Sequence, residues 1–213
     1  MNATRLAWED GAVTAEWDGE SGDTLVALTH GAGGTYAAPT LAAYAQALAA
    51  RGLQVVRYNL PYAEAGRRLP GPRARDERCW QGIAAALRPR ARRLLLGGRS
   101  YGGRMATHAV AAGAQCAGLV LLAYPWHPRG KPELLRAAHL ERISAPMLFL
   151  QGTLDPLADP AVVAPALAQL PGASRYRLEG GDHAHAVSGR TVASIAAELA
   201  EATMQWLDAY VGP

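Results

Sequence analysis

The chain has 213 residues, half of them hydrophobic, with 21 Lys and Arg against 18 Asp and Glu for a formal charge of +3. That is enough apolar material for one domain with a sizeable core over residues 1–213. Twenty of the 21 cations are arginine, which beside the abundant alanine reads as composition bias, and no aromatic and basic stripe or reading helix points to nucleic acid.

The first ten residues lack the apolar core of a signal peptide, and no segment approaches the ~20 apolar residues that span a bilayer. No membrane association is expected, and a cytoplasmic protein follows. Arg5 to Trp8 and Val13 to Trp17 alternate apolar and polar residues around Glu9-Asp10-Gly11, which predicts a hairpin at one sheet edge. After a turn at 19–23 the pattern changes to strand and helix in alternation. Strands are expected at 25–29, 55–59, 93–97, 118–123, 146–151 and 175–178. Helices are expected at about 39–51, 75–88, 101–112, 160–170 and 188–210. Such alternation predicts an α/β fold with a mostly parallel, doubly wound sheet and right-handed crossovers. Between 124 and 150 there is no room for a cap domain, so the site should be open and shallow.

The densest basic stretch, Arg67 to Arg93, holds nine arginines against Asp76 and Glu77. It reads as a solvated helix face and loop, with an attractor of anionic substrates as the alternative. Cys79 and Cys116 have neither disulfide-framework nor zinc spacing and read as reduced thiols. The six histidines show no His-x-x-x-His spacing, and His183-x-His185 stands on a glycine-rich loop, so neither a metal nor a cofactor is expected.

Four segments carry chemistry, each following an expected strand. Gly98-Arg99-Ser100-Tyr101-Gly102 lies between the apolar run Leu94-Leu95-Leu96 and a helical stretch of small residues, the setting of a serine at a sharp strand-to-helix turn. Such a turn brings strand and helix too close for a Cβ two residues to either side, which explains glycine at 98 and 102. Asp155 follows the run 146–151, and His183 follows Gly180-Gly181-Asp182. Upstream, His30-Gly31-Ala32-Gly33-Gly34 ends the strand at 25–29 and could turn backbone N–H groups toward a developing oxyanion. Serine weakly nucleophilic on its own, a histidine to take its proton and an acid to orient that histidine form a working set. Asp159 is the substitute acid but precedes Pro160 as a helix N-cap. His185 is the competing base.

These segments resemble the α/β-hydrolase superfamily, and within it the small, lid-less dienelactone-hydrolase-like branch. Thr-His-Gly-Ala-Gly-Gly at 29–34, Arg-Tyr-Asn-Leu-Pro-Tyr at 57–62, Gly-Gly-Arg-Ser-Tyr-Gly-Gly-Arg at 97–104 and Gln-Gly-Thr-Leu-Asp-Pro at 151–156 look like uncharacterised bacterial α/β-hydrolase-like proteins. The resemblance covers about residues 22–212. It implies an α/β-hydrolase fold and the chain order serine, acid, histidine, with catalytic Ser100, Asp155 and His183. It also implies an oxyanion hole from the backbone N–H groups of Ala32 and Tyr101. The continuation Ala184-His185-Ala186 departs from the branch, where serine or an aromatic is more usual. The expected activity is hydrolysis of an ester or thioester of a small acid through an acyl-enzyme. The alternative is a hydrolase-fold binding or scaffold domain with little activity. His30 is expected to brace the oxyanion loop, His108 and His139 to be core or surface, and Tyr62, Trp126 and His127 to line the substrate pocket. Nothing in the sequence fixes the acyl group or the oligomeric state.

Overall fold

Eight strands form a single sheet in the computed structural model, which describes residues 3–19 and 22–212. Met1, Asn2, Glu20, Ser21 and Pro213 lie outside the described residues, and with them part of the turn expected at 19–23. The strands are β1 (Thr4–Trp8), β2 (Gly11–Asp18), β3 (Thr24–Thr29), β4 (Gln54–Tyr58), β5 (Arg93–Arg99), β6 (Gly118–Leu122), β7 (Met147–Gly152) and β8 (Ala173–Leu178). Their spatial order is β1-β2-β4-β3-β5-β6-β7-β8. β1 and β2 pair around Glu9-Asp10 with Trp8 opposite Gly11, and β2 runs antiparallel to β4. From β4 to β8 every pair is parallel. The expected hairpin therefore occupies one edge, and β8 forms the other.

The helices are α1 (Pro39–Ala49), α2 (Pro61–Glu64), α3 (Arg73–Leu87), α4 (Tyr101–Ala111), α5 (Pro160–Ala168) and α6 (Val192–Tyr210). Because side chains alternate across a strand, one set of strand residues, including Ala27, Val56, Leu96, Leu121 and Phe149, packs under α3, α4 and α5. The other set, including Val26, Leu28, Leu95, Val120 and Leu150, packs under α1 and α6. Burial on both faces is why β3, β6 and β7 read as continuous apolar runs. The last helix starts at Val192, not at 188. Gly189 has φ 74°, and the Thr191 hydroxyl accepts the Ser194 N–H as an N-cap. The short α2 has no counterpart among the expected elements. Among the described residues no helix is long and apolar enough to cross a membrane.

Two features set where a site can form. The chain leaves β3 for β4 on one side and returns to β5 on the other, so a crevice opens at the carboxyl ends of β3 and β5. Residues 123–146, between β6 and β7, hold only a 3₁₀ turn at Leu140–Arg142 and no cap over that crevice.

The hairpin is tied down by a buried ion pair. Arg57 on β4, 1 % exposed, donates from Nε to Asp18 Oδ2 at 2.7 Å and from Nη1 to the Tyr36 carbonyl at 2.7 Å. It also meets Glu16 at 2.9 Å. Removing one partner of a buried pair strands the other charge, so Asp18→Ala should cost about 3 kcal/mol. A urea denaturation midpoint checks this, and a loss below about 1 kcal/mol, the range of exposed pairs, would show that Glu16 and Tyr36 suffice.

Candidate active site

The turn at Ser100 is made by close approach of three strands. β5 lies between β3 and β6, and the Ser100 N–H donates to the Leu122 carbonyl at 2.8 Å, carrying the ladder into the turn. Ser100 has φ 50° and ψ −115°, a strained conformation for a residue with a Cβ. A Cβ on Gly98 would lie 2.4 Å from the Thr29 carbonyl oxygen, and one on Gly102 2.5 Å from the His30 carbonyl oxygen. The two glycines are the steric condition for the turn.

Asp155 follows β7 and is buried. Its Oδ1 accepts the Leu157 N–H at 2.8 Å and its Oδ2 accepts from Gln151 Nε2 at 2.6 Å. The acid and histidine loops are laced together through backbone. Leu154 N–H donates to the Gly181 carbonyl at 2.8 Å and Thr153 N–H to the Leu178 carbonyl at 3.0 Å. Asp182 Oδ1 in turn accepts the N–H groups of Ala184 and Ala186, each at 2.8 Å. This lacing holds His183 with Nδ1 2.8 Å from Asp155 Oδ2 and Nε2 2.9 Å from Ser100 Oγ. The His183 side chain is 25 % exposed, which leaves this end of the chain of contacts open to solvent.

Tyr101 is the first residue of α4, so its N–H is one of the orphan donors at a helix N-terminus, where negative charge is favoured. Neither its N–H nor that of Ala32 donates to a backbone acceptor in the loops and turns of the described residues. Gly31, ahead of Ala32, packs against the elbow, where a Cβ would meet Ser100 Cβ at 3.4 Å. His30 is buried and accepts the Leu60 N–H at Nε2, at 3.1 Å, while Nδ1 lies 2.9 Å from the Gly31 carbonyl oxygen. Burial lowers its pKa, which suits a neutral ring bracing the loop.

Other expected positions resolve differently. Asp159 caps α5 by accepting the Ala161 N–H at 2.9 Å. Tyr62, Trp126 and His127 do not line an open surface, being 1 %, 0 % and 2 % exposed. The Tyr62 hydroxyl donates to the Gly31 carbonyl at 3.3 Å, Trp126 packs against Tyr124 and Phe149, and His127 Nε2 accepts the Asp159 N–H at 2.9 Å. Each is turned inward to brace a loop, because an aromatic body gains more by burial than by exposure at an uncapped rim. His185 turns away from Ser100, with φ 60° and Nε2 3.1 Å from the Leu150 carbonyl oxygen. Arg99 is a residue the motif alone did not single out. Its Nη2 donates to the His183 carbonyl at 2.7 Å, tying the histidine loop to the elbow. Among the described residues no group of three or more His, Cys, Asp or Glu is arranged to hold a metal ion.

Comparison with known proteins bears on the family and the fold. The family model described as alpha/beta hydrolase domain matches residues 22–209. Among solved structures, an α/β serine hydrolase without lid from Xanthomonas campestris is similar at TM-score 0.73 and 20 % identity, covering 96 % of this chain and 94 % of the other. Dienelactone hydrolase from Anabaena variabilis is similar at TM-score 0.77 and 19 % identity, over 98 % and 97 % of the two chains. An esterase from Pyrococcus furiosus gives TM-score 0.80 at 14 % identity, over 99 % and 91 %. At these identities the likeness is one of fold.

Burial, and then the Arg99 guanidinium, push the His185 pKa down from 6.5 to about 4. The unfolded chain takes up this proton at higher pH than the folded one, so protons favour unfolding. The His185 contribution is complete above about pH 6.5 and is lost as pH falls toward 4, a change of about 3 kcal/mol. Urea midpoints measured from pH 7 to pH 4 should fall accordingly, and more shallowly in His185→Gln. An equal slope in both proteins would place the titrating group elsewhere.

Proposed function

The chain belongs to the α/β hydrolase family, and on that footing we propose that it is a serine hydrolase cleaving an ester or thioester of a small acid through an acyl-enzyme. The observation that carries the reading is the unbroken relay from Ser100 Oγ through His183 to Asp155, with contacts of 2.9 and 2.8 Å. Ser100 Oγ attacks the acyl carbon as its proton passes to His183 Nε2. Asp155 holds the imidazole with Nδ1–H toward it and stabilises the cation that forms. The tetrahedral oxyanion takes hydrogen bonds from the N–H groups of Tyr101 and Ala32, each such donor being worth about 3 kcal/mol in the transition state. Collapse expels the alcohol or thiol, which receives the proton from His183. Water then enters, gives a proton to the same nitrogen and attacks the acyl carbon, and as the acid leaves His183 Nε2 returns that proton to Ser100 Oγ. Apart from water, this sequence uses only groups of the chain and a small-molecule acyl substrate.

A fluorophosphonate probe should label Ser100 at neutral pH, mapped by mass spectrometry, with no labelling in Ser100→Ala. Absence of labelling in the folded protein would favour the binding or scaffold reading.

Ser100→Ala and His183→Ala should each lower kcat by roughly 10³ to 10⁶, the double variant being little worse than either. His185→Ala should cost far less in kcat. Equal collapse in His183→Ala and His185→Ala, with circular dichroism unchanged, would overturn the assignment of the base.

A further inference from the structure

The basic residues that matter most are not those densest in sequence. Four arginines from three segments converge beside the elbow: Arg73 at the start of α3, Arg104 in the first turn of α4, and Arg136 and Arg142 in the 123–146 loop. Arg73, Arg104 and Arg142 act on His108 and His139, and Arg136 acts on Arg104; the two rings stack with centroids 3.7 Å apart and planes 8° from parallel. His139 Nε2 is 2.8 Å from Thr107 Oγ1, and the Tyr124 hydroxyl, which donates to the Arg136 carbonyl at 3.0 Å, lies 3.5 Å from the same nitrogen. Arg104 belongs directly to the elbow, since its N–H donates to the Ser100 carbonyl at 3.0 Å.

Counter-charge inside this group is scarce. Glu77 lies 2.6 Å from Arg73 Nε and 3.6 Å from His108 Nδ1. The adjacent Asp76 is engaged by the Tyr101 hydroxyl at 2.7 Å, with Arg67 and Arg75 as its nearest cations. Among the described residues, the guanidinium groups of Arg104, Arg136 and Arg142 make no ion pair, and Arg104 Nε and His108 Nε2 are buried without a hydrogen-bond partner. One carboxylate therefore faces four guanidinium groups. Burial first, then the facing His139 ring, then Arg73, Arg104 and Arg142 hold His108 down at about 3, and burial followed by Arg104, Arg142 and Arg73 holds His139 at about 4. Both rings stay neutral at pH 7, which permits the stack.

Gathered like charges repel, and an arrangement of planar, multi-donor guanidinium groups left without partners matches the tetrahedral oxygens of a phosphate. We propose that Arg73, Arg104, Arg136 and Arg142 form a binding site for a phosphate group carried by the substrate beside its scissile acyl bond. The word substrate rests on the serine-hydrolase reading; the anion site does not. Arg104 is one helical turn from Ser100, so the fitting substrates are small, with ester and phosphate separated by a few bonds.

The test compares 1-acetylglycerol 3-phosphate with 1-acetylglycerol as substrates, and follows binding of inorganic phosphate by calorimetry. The phosphate ester should be preferred in kcat/KM by about tenfold or more, as charge-assisted hydrogen bonds to a phosphate give. In about 1 M salt, where the screening length is about 3 Å, the preference should shrink. It should fall toward unity in Arg136→Gln/Arg142→Gln, and partly in Arg142→Gln alone, whose exposed side chain leaves folding intact. Inorganic phosphate should bind wild type and lose that binding in the double variant. No preference, a preference that survives the double variant, or a stronger preference for a carboxylate-bearing acetyl ester would overturn the assignment. If neither ester is turned over while phosphate still binds in an Arg136- and Arg142-dependent way, the hydrolase reading fails and the anion site stands.

Discussion

The elbow works because three backbones are pressed closer than side chains allow. β5 has β3 and β6 as neighbours, and a Cβ on Gly97 would lie 2.0 Å from the Val120 carbonyl oxygen. Extending the β5–β6 ladder to the Ser100 N–H prevents the chain from relaxing before it must turn. Backbone strain at one serine is thus held by a sheet buried on both sides, and an isolated segment of the same sequence would have nothing to hold it.

A second constraint joins the loops that end β7 and β8. Backbone hydrogen bonds between these loops fix how far apart the main chains of Asp155 and His183 stand. A Cβ on Gly152 would stand 2.2 Å from the Gly181 carbonyl oxygen, which makes this glycine the counterpart of those at the elbow. Arg99 then reaches from the elbow to the histidine loop, linking the parts that come from distant points in the chain.

Much of this was legible in sequence because the signals were local. Continuous apolar runs marked the parallel strands, Glu9-Asp10-Gly11 marked the hairpin, and glycine two residues to either side of Ser100 marked the turn. What was not legible depends on tertiary placement. The expected start at 188 falls short of the Thr191 cap because 188–190 form a turn, with Gly189 at φ 74° and the Arg190 N–H donating to the Val187 carbonyl, which only the fold specifies. The inward turn of Trp126 and His127 follows from partners on β7 and before α5, which no local pattern reports. The run from Arg67 to Arg93 is the densest in sequence, whereas three arginines without an ion pair among the described residues, Arg104, Arg136 and Arg142, lie outside it and meet only through folding. His183 and His185 alternate on one loop, and the left-handed backbone at His185 sends the two rings apart.

The free edge at β8 has a consequence for how copies of the chain meet one another. One side of β8 is hydrogen-bonded to β7, and the other presents strand backbone to solvent, a template on which a second molecule could add a strand. Arg175 and Arg177 stand exposed along it, with Arg177 held by Glu179 at 3.4 Å. An incoming β8 would bring its own arginines against these, and like charges facing each other across a new strand pair disfavour it. The pair acts as a gatekeeper against sheet-to-sheet aggregation, a protection that fails if the same positions carry Val or Thr.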